Sequence, residues 1–290
     1  PVAVSVSNFY SEGQPAIELD FATDLSVLDE EKVDSSSTLE ATVLVYDRKW
    51  KELLTQAKRE FPLGPLPSGE TKIFVGTLQL FELQPEEYRL VLQLFQPETG
   101  RIGIARGRHS VTYVRHGNLG VSDLFLQQRP GGNEKGRSEG NWEAAWLPSP
   151  TRVIRRKAPS RIEFELYNLQ AGESGTARYE IEERVLTLYK RPGFWSKLAG
   201  YGNLAGQILF PVYTFASQVG AFTLSQALAS ESAGIEVEKR IVEKAAAPMI
   251  REELQMDLSD FKPGVYTVYV TVRDLVTGDI SSRFLTLQIN

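Results

Sequence analysis

The chain has no cysteine and only two histidines in 290 residues. The first absence excludes disulfides, thiolate metal sites and cysteine nucleophiles. It does not fix the compartment, because chains without disulfides occur in every one. The two histidines, His109 and His116, stand seven positions apart at an expected domain junction. They form no recognisable metal pair, no third ligand stands out, and a hinge or surface role is expected. Net charge is −5, so no overall positive field attracts nucleic acid or acidic lipid. No window holds the ~20 predominantly apolar residues of a clean membrane span.

Catalytic signatures are missing as well. Gly-x-Ser-x-Gly does not occur, and Glu173-Ser174-Gly175 reads as a turn. There is no P-loop. Gly200, Gly202 and Gly206 are wrongly spaced for a dinucleotide fingerprint, and no parallel βαβ unit surrounds them. No calcium loop of the Asp-x-Asp-x-Asp-Gly kind is present. Asp257, Asp260, Asp274 and Asp279 flank expected hairpins and read as turn and cap residues. A carboxylate pair for glycoside hydrolysis stays open, since acids are plentiful and sequence does not give their separation in space. No catalytic residue, metal or cofactor is expected, and the chain reads as non-enzymatic.

What the chain has is alternation. Tyr266, Val268, Val270 and Val272 alternate with Thr267, Tyr269, Thr271 and Arg273, a period of two with one apolar face. Thr277-Gly278 marks a reversal, and Leu285, Leu287 and Ile289 resume the alternation: a β-hairpin. Residues Leu83 to Ile102 repeat this pattern without a gap. Pro85 lies over Pro263, Tyr88 over Tyr266, and Leu90, Leu92 and Leu94 over Val268, Val270 and Val272. Thr99-Gly100 lies over Thr277-Gly278, and Ile102 over Ile280. The repeat implies an internal duplication. The expected architecture is all-β: two tandem Ig-like or fibronectin-like β-sandwich domains, 1–115 and 116–290, the second carrying insertions at 127–159 and 193–230.

In the first domain Val2, Val4 and Val6 begin a strand, and Ile17, Leu19 and Phe21 alternate with Glu18 and Asp20 in a second with one polar face. Leu39 to Tyr46 and Thr71 to Phe81 are two more. Asp47 to Phe61 is ambiguous. Trp50, Leu53, Leu54, Ala57 and Phe61 fit a helical face, so a short helix is expected, or else an irregular strand with an exposed charged face. In the second domain Ile162, Phe164 and Leu166 alternate with Glu163, Glu165 and Tyr167.

The two insertions carry the candidate partner-binding residues. The first has a Gly-, Asn-, Ser- and charge-rich start, then Trp142 and Trp146, then a basic run with Arg155 and Arg156. It reads as a surface loop or as a partner-binding arm, Trp and Arg being common interface anchors. The second is nearly uncharged and apolar, a helix being one form open to it. It offers Phe194, Trp195, Leu198, Tyr201, Leu209, Phe210, Tyr213, Phe215 and Phe222. Leaving so much apolar surface in water is unfavourable by about 1.5–3 kcal/mol per side chain. The stretch therefore packs on its own domain, docks into a partner, or lies at a membrane, although an interfacial helix should show a charged face.

Several stretches resemble the β-rich region of GWxTD-domain proteins, a group of bacterial exported proteins. They are Val121 to Leu124, Pro148 to Arg152, Ile162 to Leu169, Tyr189 to Trp195 and Pro263 to Tyr266. The Gly-Trp-x-Thr-Asp signature does not occur in this chain, and the apolar insertion departs from the family pattern. The resemblance implies a β-sandwich protein, secreted or periplasmic, and supplies no catalytic residues. The chain begins at Pro1, which fits a processed protein or part of a longer one.

Two functions follow as expectations. One is a structural or interaction protein, a scaffold or accessory subunit that docks onto a larger, membrane-associated or soluble, assembly through the apolar insertion. It would bind a protein partner or a second copy of itself, and no nucleic acid. The alternative is a carbohydrate-binding or adhesive module using Trp142, Trp146 or Tyr201 as a stacking platform.

Overall fold

The computed structural model describes residues 2–11, 13–25, 36–63, 73–114, 116–129, 146–156, 158–173, 175–187, 235–245 and 249–290. Among these residues the protein is all-β, built from antiparallel strands with no α-helix. The strands are β1 (Val2–Ser11), β2 (Gln14–Asp24), β3 (Thr38–Tyr46), β4 (Leu53–Pro62), β5 (Ile73–Leu80), β6 (Glu87–Gln96) and β7 (Arg101–Ser110). There follow β8 (Gly120–Val121), β9 (Phe125–Gln128), β10 (Leu147–Pro148), β11 (Val153–Ile154), β12 (Ser160–Tyr167) and β13 (Ala177–Thr187). The last four are β14 (Ile235–Ala245), β15 (Ile250–Met256), β16 (Gly264–Asp274) and β17 (Ile280–Ile289). They fall into two compact units. The first comprises Pro1–Tyr113, Ser122–Glu165 and Arg251–Phe261, the second Val114–Val121, Leu166–Ile250 and Lys262–Asn290.

The first unit contains a β-sandwich. A sheet ordered β1-β2-β5 packs on one ordered β4-β3-β6-β7. Ile17, Leu19 and Phe21 of β2 meet Ala41, Val43 and Val45 of β3 and Leu90, Leu92 and Leu94 of β6 in one buried cluster, with Val2, Val4 and Val6 partly buried against it. This core fixes the register. A one-residue slip of β2 would send Glu18 and Asp20 inward and the three apolar side chains outward. Phe21, Phe61 and Phe74 form an aromatic triangle with ring centroids 5.6–6.1 Å apart. Gly76 makes room for it: a Cβ there would stand 2.5 Å from Phe21 Cζ. A third sheet, β10-β9-β12-β15, belongs to the same unit.

Residues 53–62 correct one expectation. They form no helix but the edge strand β4, paired with β3 from Thr38↔Pro62 to Tyr46↔Leu53, with a register shift between Val45 and Tyr46. This is the irregular strand with a charged outer face. Leu53 and Leu54 lie exposed, and Ala57 and Phe61, two strand periods apart, turn inward. Helix formers lose here because β3 offers a free backbone edge and Phe61 completes the aromatic triangle. Lys58, Arg59 and Glu60 leave the outer edge charged, which discourages edge-to-edge association.

The second unit is organised on β16, which pairs with β13 on one side and β17 on the other, while β14 pairs with β13. Tyr266, Val268, Val270, Val272, Leu285, Leu287 and Ile289 are buried, the face the alternation marks. Asp274 is fully buried at the turn: its carboxylate accepts from the backbone N–H of Gln170 at 2.9 Å, Val276 at 2.7 Å and Thr277 at 3.2 Å. Gly278 takes φ 82°, and Gly100 in the β6–β7 turn takes φ 66°.

The two hairpins share a further detail. Tyr88 Oη donates to the Gln84 carbonyl at 2.8 Å, and Tyr266 Oη to the Lys262 carbonyl at 2.7 Å. Each hydroxyl closes the corner where the chain enters its hairpin. Tyr88→Phe and Tyr266→Phe are each expected to lose about 1 kcal/mol of stability, measured by urea unfolding. A loss at only one of them would show that the corners are not equivalent.

Candidate functional site

Of the residues the sequence singles out for partner binding, only Trp146, Arg155 and Arg156 lie among the described residues. Trp142 and Phe194, Trp195, Leu198, Tyr201, Leu209, Phe210, Tyr213, Phe215 and Phe222 lie outside them. Trp146 is half-buried. Two guanidinium groups stand over its ring, Arg161 at 4.5 Å and Arg129 at 4.7 Å from the centroid. A ring engaged in this way is a poor stacking platform for a sugar. Arg156 Nη1 donates to the Phe261 carbonyl at 3.4 Å, and Arg155 is exposed. Parts of the expected 127–159 insertion are strand: the end of β9, β10 and β11.

The first unit holds a polar seam the alternation does not reveal. Glu18 and Asp20 project from the outer face of β2, opposite the apolar core. Phe9 and Ala16 on that face pack against Phe125 of β9, so the outer face of β1-β2-β5 meets one face of β9-β12-β15. Asp20 is only 6% exposed. Thr77 Oγ1 donates to its Oδ1 at 2.7 Å, and Gln79 Nε2 donates to Glu18 Oε2 at 2.8 Å. From the other sheet come buried Glu163 and Glu165 with Arg161, Arg251 and Glu253. Arg161 pairs with Glu163, with Glu253 at 2.6 Å and with Gln127 Oε1 at 2.9 Å. Arg251 pairs with Glu165 at 3.1 Å.

Charge in the seam is unevenly answered. Burial, reinforced by the neighbouring Glu18 charge and partly offset by the Thr77 hydroxyl, pushes Asp20 up to about 7. Burial also raises Glu18, against the pull of Gln79 and Arg251. Glu163 is raised by burial while Arg161 and Arg251 hold it back. Burial works against the Arg251 charge, but Glu165, Glu163 and Glu18 outweigh it and raise its pKa. Among the described residues no group of three or more His, Asp or Glu side chains is arranged to hold a metal ion.

A second buried polar cluster corrects the expectation for His109. It is not a hinge or surface residue but lies within β7, 4% exposed. Its Nε2 is 3.0 Å from Asn8 Oδ1, and the Asn8 backbone N–H and Nδ2 both donate to Asp123 Oδ2 at 2.8 Å. Burial holds the imidazole down to about 4, with Asp123 pulling the other way. This cluster joins β1, β7 and the chain entering β9.

The outer face of β4-β3-β6-β7 presents a different surface. In register on β6 and β7, Phe95 pairs with Ile102 and Gln93 with Ile104. Ile102 is 67% exposed, Ile104 50% and Phe95 36%. Gly103 and Ala105 take the inward positions of β7, so its large aliphatic side chains face outward. Arg106 lies exposed on the same face, whereas Arg101, exposed at the start of the strand, shares the parity of Gly103. β7 ends its sheet, and toward β4 the face becomes charged, with Lys58 paired to Glu40 at 2.8 Å. A contiguous exposed apolar row with a cation beside it is the kind of surface that suits a protein contact.

Neither the family models nor the curated proteins compared with this chain match it. The resemblance to GWxTD-domain proteins therefore stands on the quoted residues alone.

Proposed function

We propose that this chain is a non-enzymatic interaction protein, a scaffold or accessory subunit of a larger assembly. In this reading it docks a protein partner on the outer face of β6 and β7. The observation that carries the reading is the row Phe95 on β6 and Ile102 and Ile104 on the terminal strand β7, aromatic and aliphatic side chains left outward with Arg106 on the same face. The complementary partner surface is aliphatic and acidic. The apolar stretch 193–230 is a second docking element in this proposal, supported by its composition alone. An envelope location belongs to the same proposal and follows from the GWxTD resemblance.

The duplication is proposed on the same footing. Its support is the gapless correspondence of the two hairpins, the paired Tyr88 and Tyr266 corners and the positive φ of Gly100 and Gly278.

A photo-crosslinking residue at Ile104 tests the docking face, with one at Gln56, outward on β4, as control. The expected result is a discrete adduct from position 104 in cell extract that Gln56 does not give, and that Ile102→Glu abolishes without changing the melting temperature. Equal labelling from both positions would overturn the reading.

A further inference from the structure

We propose that the seam between β1-β2-β5 and β9-β12-β15 is a pH-operated latch, closed while Asp20 carries a proton and loosened once Asp20 and Glu18 are both ionised. Five carboxylates meet there: Glu18 and Asp20 from β2, Glu163 and Glu165 from β12, and Glu253 from β15. Among the described residues two guanidinium groups answer them, Arg161 and Arg251, and both are committed, to Glu163 and Glu253 and to Glu165 respectively. Glu18 feels Arg251 at longer range. From β5 the seam receives only Thr77 and Gln79, which are neutral. Arg59 of β4 is spent on the Thr77 carbonyl at 3.3 Å. Gln127 of β9 is neutral and bonded to Glu163 and Arg161. His109 and Asp123 make up the separate cluster around Asn8 of β1, with the Arg152 charge acting on His109.

Among the described residues Asp20 is therefore the seam's buried acid with no cation partner; beside it stand a second acid, Glu18, and the Thr77 hydroxyl. Protonated, it fits the seam and keeps the Thr77 hydrogen bond. Ionised, it places an uncompensated charge between two sheets, beside Glu18. Parting the sheets hydrates that charge. The other interface of β1-β2-β5, toward β3 and β6, is a cluster of apolar residues, so it has no reason to respond.

Amide hydrogen exchange on the full chain at pH 6 and pH 8, corrected for intrinsic rates, reads the latch. Opening of amides in β9, β12 and β15 is expected to rise about tenfold between the two, as for one group that titrates near neutrality only when the seam is shut. Amides of β3 and β6 should change less than about twofold. Asp20→Asn should remove the rise. Glu18→Gln, which lowers the charge beside Asp20, should reduce it, and it carries the test should Asp20→Asn not fold. Equal protection at both pH values, a parallel rise in β3 and β6, or an undiminished rise in the variants would overturn the latch.

Discussion

Replacing Asp20 by Asn is expected to stabilise the protein at pH 8, by up to about 4 kcal/mol, and to leave it nearly unchanged at pH 4. The folded protein raises this carboxyl from 3.8 to about 7. The folded state thus holds the proton more tightly than the unfolded chain. That contribution is fully present below 3.8, is lost as pH rises, and is gone above about 7. Asn carries no such charge and its Oδ1 can still accept from Thr77. Urea unfolding at the two pH values gives the answer. A variant less stable at both would mean that the carboxylate is needed as a partner.

The same variant should uncover His109. Its pKa is held down to about 4 from 6.5, so the unfolded chain binds the proton more tightly. The stability this confers is present above 6.5 and is lost as pH falls toward 4, about 3 kcal/mol in all. In the native protein Asp20 and His109 slope in opposite directions between pH 4 and 6.5 and largely cancel. In Asp20→Asn the His109 slope remains, and stability should climb with pH across that window.

Arg161→Ala is expected to be the most damaging single change in the seam, at roughly 3–5 kcal/mol. The guanidinium side chain is 14% exposed and the Glu163 side chain 9%. Removing Arg161 leaves Glu163 as a buried charge, releases Glu253 and Gln127, and takes one cation from the Trp146 ring. The loss is mostly the cost of the stranded carboxylate. Arg161→Ala combined with Glu163→Gln should therefore recover a good part of it, and a double-mutant cycle measures how much. A double variant as unstable as the sum of its parts would place the damage in packing instead.

The hairpins were legible because alternation of Tyr, Val and Leu with polar residues, broken by Thr-Gly, has one physical reading. Ile17, Leu19 and Phe21 on β2 were legible for the same reason. The polar face of β2 was misleading. Glu18 and Asp20 alternate as solvent-facing residues do, and only the third sheet of the first unit shows that they are covered. The hint lay in residue type: two acids two positions apart on β2, Glu18 and Asp20, matched by Glu163 and Glu165 on β12 with Arg161 beside them. Residues 53–62 show tertiary structure overriding helical spacing. Ile102 and Ile104 were missed because a strand with Gly103 and Ala105 inside and isoleucine outside inverts the usual pattern. His109 looked like a hinge or surface residue because nothing in the sequence places Asn8 and Asp123 beside it. Of the expected partner-binding residues, those in 193–230 and Trp142 lie outside the described residues.

The proposed docking role is tested most directly by native size. The full chain and its Ile102→Glu, Ile104→Glu variant would be compared by size-exclusion chromatography of extract from the producing cells. The native chain is predicted to elute in a complex well above its 32.4 kDa mass, and the variant as a folded species free of it. Both chains eluting together, as monomers or in the same complex, would contradict docking through the β6–β7 face.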